Sequence, residues 1–207
     1  MRLRYKLSWW LTNLVARVLL GLRIKGREHI PRTGGLIVAC NHVSYWDPPL
    51  LGVACDRELF YMAKKELFKN RLFGALIRAY NAMPVDRGAF NRGALDRATE
   101  IVRSGMAVVI FPEGTRGGPD SPREPKPGLG MIAERTRCPI VPAYITGSDT
   151  IKKCLMRRRS LRVCFGPPIR PEEFLAKGGE GRERYARISR AAMEEVARLR
   201  AQAERAG

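Results

Sequence analysis

Five short apolar runs punctuate the chain: GGLIVAC (34–40), LFYMA (59–63), MAVVIF (106–111), CPIVPAYI (138–145) and LRVCFG (161–166). Their length and β-branched content predict strands. Because they are apolar at nearly every position, the sheet they form should be covered on both faces. Between them, helical stretches fall at roughly 50–54, 65–79, 91–104 and 129–136. Such alternation predicts a single α/β domain with a mixed, largely parallel sheet covered by helices. Tyr185, Ile188, Ala192, Val196 and Leu199 recur on one face of a charged closing helix, which predicts packing against the core. Residues 117–128, GGPDSPREPKPG, hold four prolines and predict a long surface loop.

The N-terminus, MRLRYKLSWWLTNLVARVLLGLRIKG, follows a different pattern. Its longest uncharged piece runs from Leu7 to Ala16 before Arg17 interrupts it, well short of the roughly 20 residues that cross a bilayer. A signal peptide is not expected either, since no small-x-small cleavage site follows. Basic Arg2, Arg4, Lys6 and Arg17 beside Trp9, Trp10 and several leucines predict an N-terminal interfacial helix over residues 1–24, followed by the main domain at 25–207. Packing of this helix on the domain's own core is the competing expectation.

At 207 residues and 45% hydrophobic content, the chain is long enough for one well-buried core. Lys and Arg number 38 against 20 Asp and Glu, a formal charge of +18. That excess calls for something anionic: nucleic acid, a phosphorylated substrate or an acidic membrane surface. Five cysteines, an odd number with no CxxC pair, lie in or beside apolar runs and predict reduced, buried thiols. His29 and His42 have no ligand-spaced partners, so no metal site is expected.

The chemistry concentrates at strand ends. NHVSYWDPP (41–49) follows the first long strand and delivers His42 to the carboxyl edge of the sheet, where open α/β sheets bind ligands. Asp47 is close enough to hold one ring nitrogen of His42 while the other takes a proton. Asp47 followed by Pro48 also reads as a helix N-cap, and both roles remain open. Cys40 and His42 point to the same side of an extended segment, so a Cys–His acyl-enzyme is a rival reading. FPEGTRGG (111–118) brings Glu113, Gly114, Thr115 and Arg116 beyond another strand end, a donor set suited to phosphate or to a plain turn. AMPVDRG (82–88) sets Arg87 after a short β-like run, and Lys126 in the proline-rich loop is a further cation candidate.

Taken in order, NHVSYWD (an NHx4D box), MPVDRG, FPEGTR and CPIVPAYI resemble the four blocks of the glycerolipid acyltransferases of the 1-acylglycerol-3-phosphate acyltransferase type, over about residues 20–170. The resemblance implies acyl transfer from a thioester, acyl-CoA or acyl-carrier protein, to the free hydroxyl of a lysophospholipid. The expected acceptor is 1-acyl-sn-glycerol-3-phosphate, giving phosphatidic acid in phospholipid biosynthesis. On this reading His42 and Asp47 are catalytic. Arg87 and Arg116 clamp the acceptor phosphate, and Glu113, Gly114, Thr115 and Lys126 complete the substrate site. No cofactor and no metal are implied, and the enzyme is expected to be peripheral on the cytoplasmic face of an anionic membrane. Other readings are a different lysolipid acceptor, a Cys40-dependent thioesterase, or a non-catalytic basic module binding lipid or nucleic acid. No stacking-aromatic pattern accompanies the cations, so nucleic acid is not the expected partner.

Overall fold

The computed structural model describes residues 3–85, 92–115, 117, 124–156, 160–175 and 181–205. In chain order these form α1 (Leu3–Leu20), β1 (Arg23–Lys25), β2 (Leu36–Cys40), α2 (Asp47–Ala54), β3 (Leu59–Lys64), α3 (Arg71–Ala79), β4 (Ala82–Val85) and α4 (Arg92–Arg103). There follow β5 (Ala107–Ile110), α5 (Gly128–Thr136), β6 (Ile140–Thr146), α6 (Ile151–Leu155), β7 (Arg162–Phe165), α7 (Glu172–Leu175) and α8 (Arg182–Arg205). Short 3-10 turns lie at Arg27–His29, Lys65–Phe68 and Ser148–Thr150.

Among the described residues the strands form one seven-stranded sheet in the order β1-β7-β6-β2-β5-β3-β4. β2 through β6 run parallel to one another, β7 is antiparallel to β6, and β1 pairs in parallel with β7. The expected mixed, mostly parallel α/β sheet is therefore observed. All five residues of β2 are buried. Since successive side chains alternate across a strand, Leu36, Val38 and Cys40 enter the core under α2, while Ile37 and Ala39 enter the core under α4, α5 and α8. The crossovers explain this division. From β2 to β3 to β4 the chain steps outward across the sheet, and from β4 to β5 to β6 it steps back. Right-handed crossovers place α2 and α3 on one face and α4 and α5 on the other.

The stretch expected to be helical over 65–79 divides in two. Asn70 accepts a hydrogen bond from the Phe73 N–H at 3.0 Å, which caps α3 and separates it from the preceding 3-10 turn. The closing helix packs as its stripe predicts, with Ile188, Ala192, Val196 and Leu199 buried. Its contact with α5 depends on Gly130. A Cβ there would lie 2.0 Å from the Tyr185 carbonyl oxygen, so only glycine allows the two backbones to approach this closely.

α1 docks on α2. The Trp9 indole N–H donates to the Cys55 carbonyl at 3.1 Å and the Asn13 amide to the Val53 carbonyl at 2.8 Å, and Ala16 of the same helix is buried in the core. On the other side of the helix Trp10, Leu14, Val15, Val18 and Leu19 are exposed. Core packing and an outward apolar face thus belong to two sides of one helix. Among the described residues, no helix is long and apolar enough to cross a membrane. None of the five cysteines forms a disulfide, and all five are buried.

Candidate active site

The carboxyl ends of β2, β5 and β6, which are neighbours in the sheet, supply the site. At the end of β2 the Asn41 side chain donates to the Ile145 carbonyl at 3.0 Å and accepts from the Ile145 N–H at 2.8 Å. One amide side chain thereby extends the β2–β6 ladder by a step while the main chain leaves the sheet. His42 is the next residue, 6% exposed, with its ring stacked on Phe111 from the end of β5 at 4.1 Å between centroids.

The turn from His42 to Asp47 is folded around a carboxylate. Asp47 is fully buried. Its Oδ2 accepts hydrogen bonds from His42 Nδ1 and from the backbone N–H groups of Val43 and Ser44, each at 2.8 Å. Its Oδ1 accepts the Ser148 hydroxyl at 2.6 Å. The helix-cap reading of Asp47 fails for a local reason. Pro48 and Pro49 have no N–H to offer, and the Leu50 N–H is taken by the Trp46 carbonyl. Asp47 sits in the first turn of α2 and spends its oxygens on the preceding loop. Because a carboxylate only accepts, His42 Nδ1 carries the proton in this pair, which leaves Nε2 of the neutral ring as a proton acceptor.

The third block closes over the same place. Gly114 donates its N–H to the Phe111 carbonyl at 3.0 Å and lies at φ 73°, a left-handed turn that glycine adopts without strain. A Cβ on Gly114 would lie 2.7 Å from Lys126 Cε and 2.9 Å from its Nζ, so the lysine side chain rests directly on this turn. Lys126 is anchored by its own N–H on the Pro112 carbonyl at 2.9 Å. The long proline-rich loop thus returns its lysine to the FPEGT turn. Glu113 is buried and Thr115 partly so. Gly117 donates to the His42 carbonyl at 3.0 Å, which ties the third block to the first. Arg87 and Arg116, the two expected phosphate clamps, lie outside the described residues.

Cys40 does not meet the requirements of the rival nucleophile. It is wholly buried and its thiol contacts the Asn41 side-chain oxygen at 3.5 Å. Burial, together with the negative charges of Asp47 and Glu113, holds that thiol well above its ordinary range, so it stays protonated. Ser148 and Phe111 were not among the expected site residues, although Phe111 opens the FPEGTR block. For Ser148 the available hint is its place after Gly147, just beyond the carboxyl end of β6.

The chain matches the family described as Acyltransferase over residues 21–146. It is 32% identical over 155 residues to a 1-acyl-sn-glycerol-3-phosphate acyltransferase of Bacillus subtilis (strain 168), covering 74% of this chain and 76% of that one. A 1-acyl-sn-glycerol-3-phosphate acyltransferase of Streptococcus pneumoniae is 32% identical over 178 residues, covering 82% of this chain and 66% of its own length. Among solved structures, the 1-acyl-sn-glycerophosphate (LPA) acyltransferase PlsC from Thermotoga maritima superposes with a TM-score of 0.71 at 25% identity, over 97% of this chain and 84% of that one.

Proposed function

The chain belongs to the acyltransferase family, and from that premise we propose that it acylates the free hydroxyl of 1-acyl-sn-glycerol-3-phosphate to give phosphatidic acid. The acyl donor is a thioester, acyl-CoA or acyl-carrier protein, and the reaction belongs to phospholipid biosynthesis. The observation that supports this reading is the 2.8 Å pairing of His42 Nδ1 with a fully buried carboxylate beyond the carboxyl end of β2, which leaves Nε2 to act as the base.

The steps balance without a covalent enzyme intermediate. His42 Nε2 takes the hydroxyl proton as the acceptor oxygen attacks the thioester carbonyl carbon. The tetrahedral adduct collapses, the C–S bond breaks, and the departing sulfur takes the proton back from the imidazolium. Asp47 holds the ring orientation and offsets its transient charge. Lys126, with Arg87 and Arg116, binds the acceptor phosphate and turns an encounter into an oriented complex. The Glu113–Gly114–Thr115 turn shapes the wall on which Lys126 rests.

Residues 1–24 serve this chemistry as an interfacial element on the acyltransferase domain of residues 25–207. The outward side of α1, with Trp10, Leu14, Val18 and Leu19 exposed, supports that role. Peripheral attachment at the cytoplasmic face brings an amphiphilic acceptor and a water-soluble donor to one site.

The test is thiol release and phosphatidic acid formation, followed by mass spectrometry, from lysophosphatidate with each thioester in turn. His42→Ala is expected to lower turnover about 100-fold or more with the fold intact. Retained turnover in that variant, or thiol release that proceeds equally without acceptor, would overturn the assignment.

A further inference from the structure

The two faces of the sheet present different surfaces. Among the described residues, every exposed large apolar side chain lies on α1, in the Tyr45–Trp46 turn, on α3 and the following Tyr80, or at Leu155 and Met156 at the end of α6. α1 packs on α2, and α3 shares the face of α2 by the handedness of its crossover. The helices of the opposite face, α4, α5 and α8, expose none; their surfaces carry ion pairs such as Arg135 with Asp96 and Arg200 with Glu204.

We propose that α3 is a second lipid-contacting element, seated on an anionic bilayer surface together with α1. A helix meant for water turns its apolar stripe inward, and α3 does the reverse. Only Gly74 is buried, packed so closely on Phe68 that a Cβ would lie 3.0 Å from the Phe68 carbonyl oxygen. The helix is held by this narrow glycine edge and the partly buried Ile77, and Leu72, Phe73 and Leu76 face out, Leu72 at 86% exposure.

Charge identifies the occupant. From Tyr61 to Tyr80 the chain carries Lys64, Lys65, Lys69, Arg71 and Arg78 against the single acid Glu66. Outward apolar side chains bordered by cations form an interfacial composition, in which the apolar groups enter the acyl boundary and the cations meet lipid phosphates. Arg78 lies 4.9 Å from the Phe68 ring, so its cation sits directly against the apolar part of the element. Leu72 projects from the helix instead of lining a groove, which suits insertion into a fluid layer better than docking to a folded acidic protein. The inference rests on the reading above in one respect: the acceptor is itself a membrane lipid, so a broad seat on the bilayer keeps the site at its source.

The experiment is vesicle co-sedimentation of the full chain, with phosphatidylcholine alone and with an equal mixture of phosphatidylcholine and phosphatidylglycerol. Leu72→Asp combined with Leu76→Asp is expected to lower partition into the mixed vesicles about tenfold or more. Arg71→Glu combined with Arg78→Glu is expected to do the same and to reduce the preference for phosphatidylglycerol. Arg97→Glu combined with Arg198→Glu, on the opposite face, should leave partition near that of the parent. Thiol release from detergent-dispersed substrate should be unchanged in the Leu72/Leu76 variant. Parent-like vesicle binding by the Leu72/Leu76 variant overturns the proposal. So does a variant that binds vesicles normally but loses turnover with acyl-carrier protein alone, since α3 would then be a protein dock. If the parent releases no thiol, the acyltransferase reading fails while the partition measurements still decide the role of α3.

Discussion

Ser148 donates its hydroxyl hydrogen to Oδ1 of Asp47 at 2.6 Å across 101 positions of sequence, and both side chains are buried. This bond occupies the carboxylate oxygen that His42 does not use. The carboxylate is held from both sides, so its orientation toward the imidazole is set before substrate arrives.

Ser148→Ala therefore frees one oxygen of a buried charge, a loss of about 1.5–3 kcal/mol for a charge-assisted hydrogen bond. The expected kinetic result is a kcat lowered about tenfold with KM little changed, because the serine touches no substrate. With two histidines in the chain, the imidazole N–H proton of His42 can be followed by NMR, and it should shift in the variant. A serine that merely stabilised the fold would leave both readouts where they are.

Asp47→Asn separates charge from geometry. Its amide oxygen can take the place of Oδ2 and keep the three donors of His42, Val43 and Ser44, while the Ser148 hydroxyl turns to accept from the new NH2. The expected cost is modest in stability, about 1–2 kcal/mol, and large in turnover, about 100-fold or more. Asp47→Ala removes every acceptor and should damage both. Urea denaturation alongside kcat measurements distinguishes the two variants.

Cys40→Ala should retain acyl transfer, and thiol alkylation at neutral pH should not inactivate the enzyme. The sulfur is buried and kept protonated by its surroundings. Loss of turnover on alkylation, prevented by Cys40→Ala, would return the thioesterase reading to contention.

Alkaline stability has a defined contributor at Cys55, whose thiol burial raises from 9.0 to about 11. Above pH 9 the unfolded chain releases this proton while the folded chain keeps it. The unfolded state then binds fewer protons, so stability falls as pH rises toward 11, by about 2–3 kcal/mol in full. Below pH 9 the group contributes no pH dependence. Denaturation curves across this range should show the decline, and Cys55→Ala should remove its share.

Gly130→Ala should destabilise the fold without touching the site. Its methyl would collide with the Tyr185 backbone, so α5 and α8 must separate. The expected loss is about 1–3 kcal/mol, read as a Tm lower by several degrees, with KM unchanged in the folded fraction.

The parallel core was legible because β2, β5 and β6 are continuous apolar runs, which only a doubly covered strand can bury. β1 was not, since Arg-Ile-Lys offers one apolar residue and becomes a strand only by pairing with β7 at the edge. The approach of His42 to Asp47 could be read from five-residue spacing, and the failure of Asp47 as a cap was implicit in the two prolines after it. The returning Lys126 was visible only as one cation in a loop. Ser148 was beyond reach, because its role arises where β6 brings a distant turn against α2, and no local pattern records that meeting.

The turn between His42 and α2 is gathered around a carboxylate, with backbone, imidazole and hydroxyl all converging on it. A lineage that gave up the reaction would still be held to an acceptor at position 47, because losing it would collapse the loop. In a distant relative, then, an acceptor of either kind at this place, acid or amide, testifies to architecture, and the imidazole is the residue whose presence or loss reveals whether the chemistry survives.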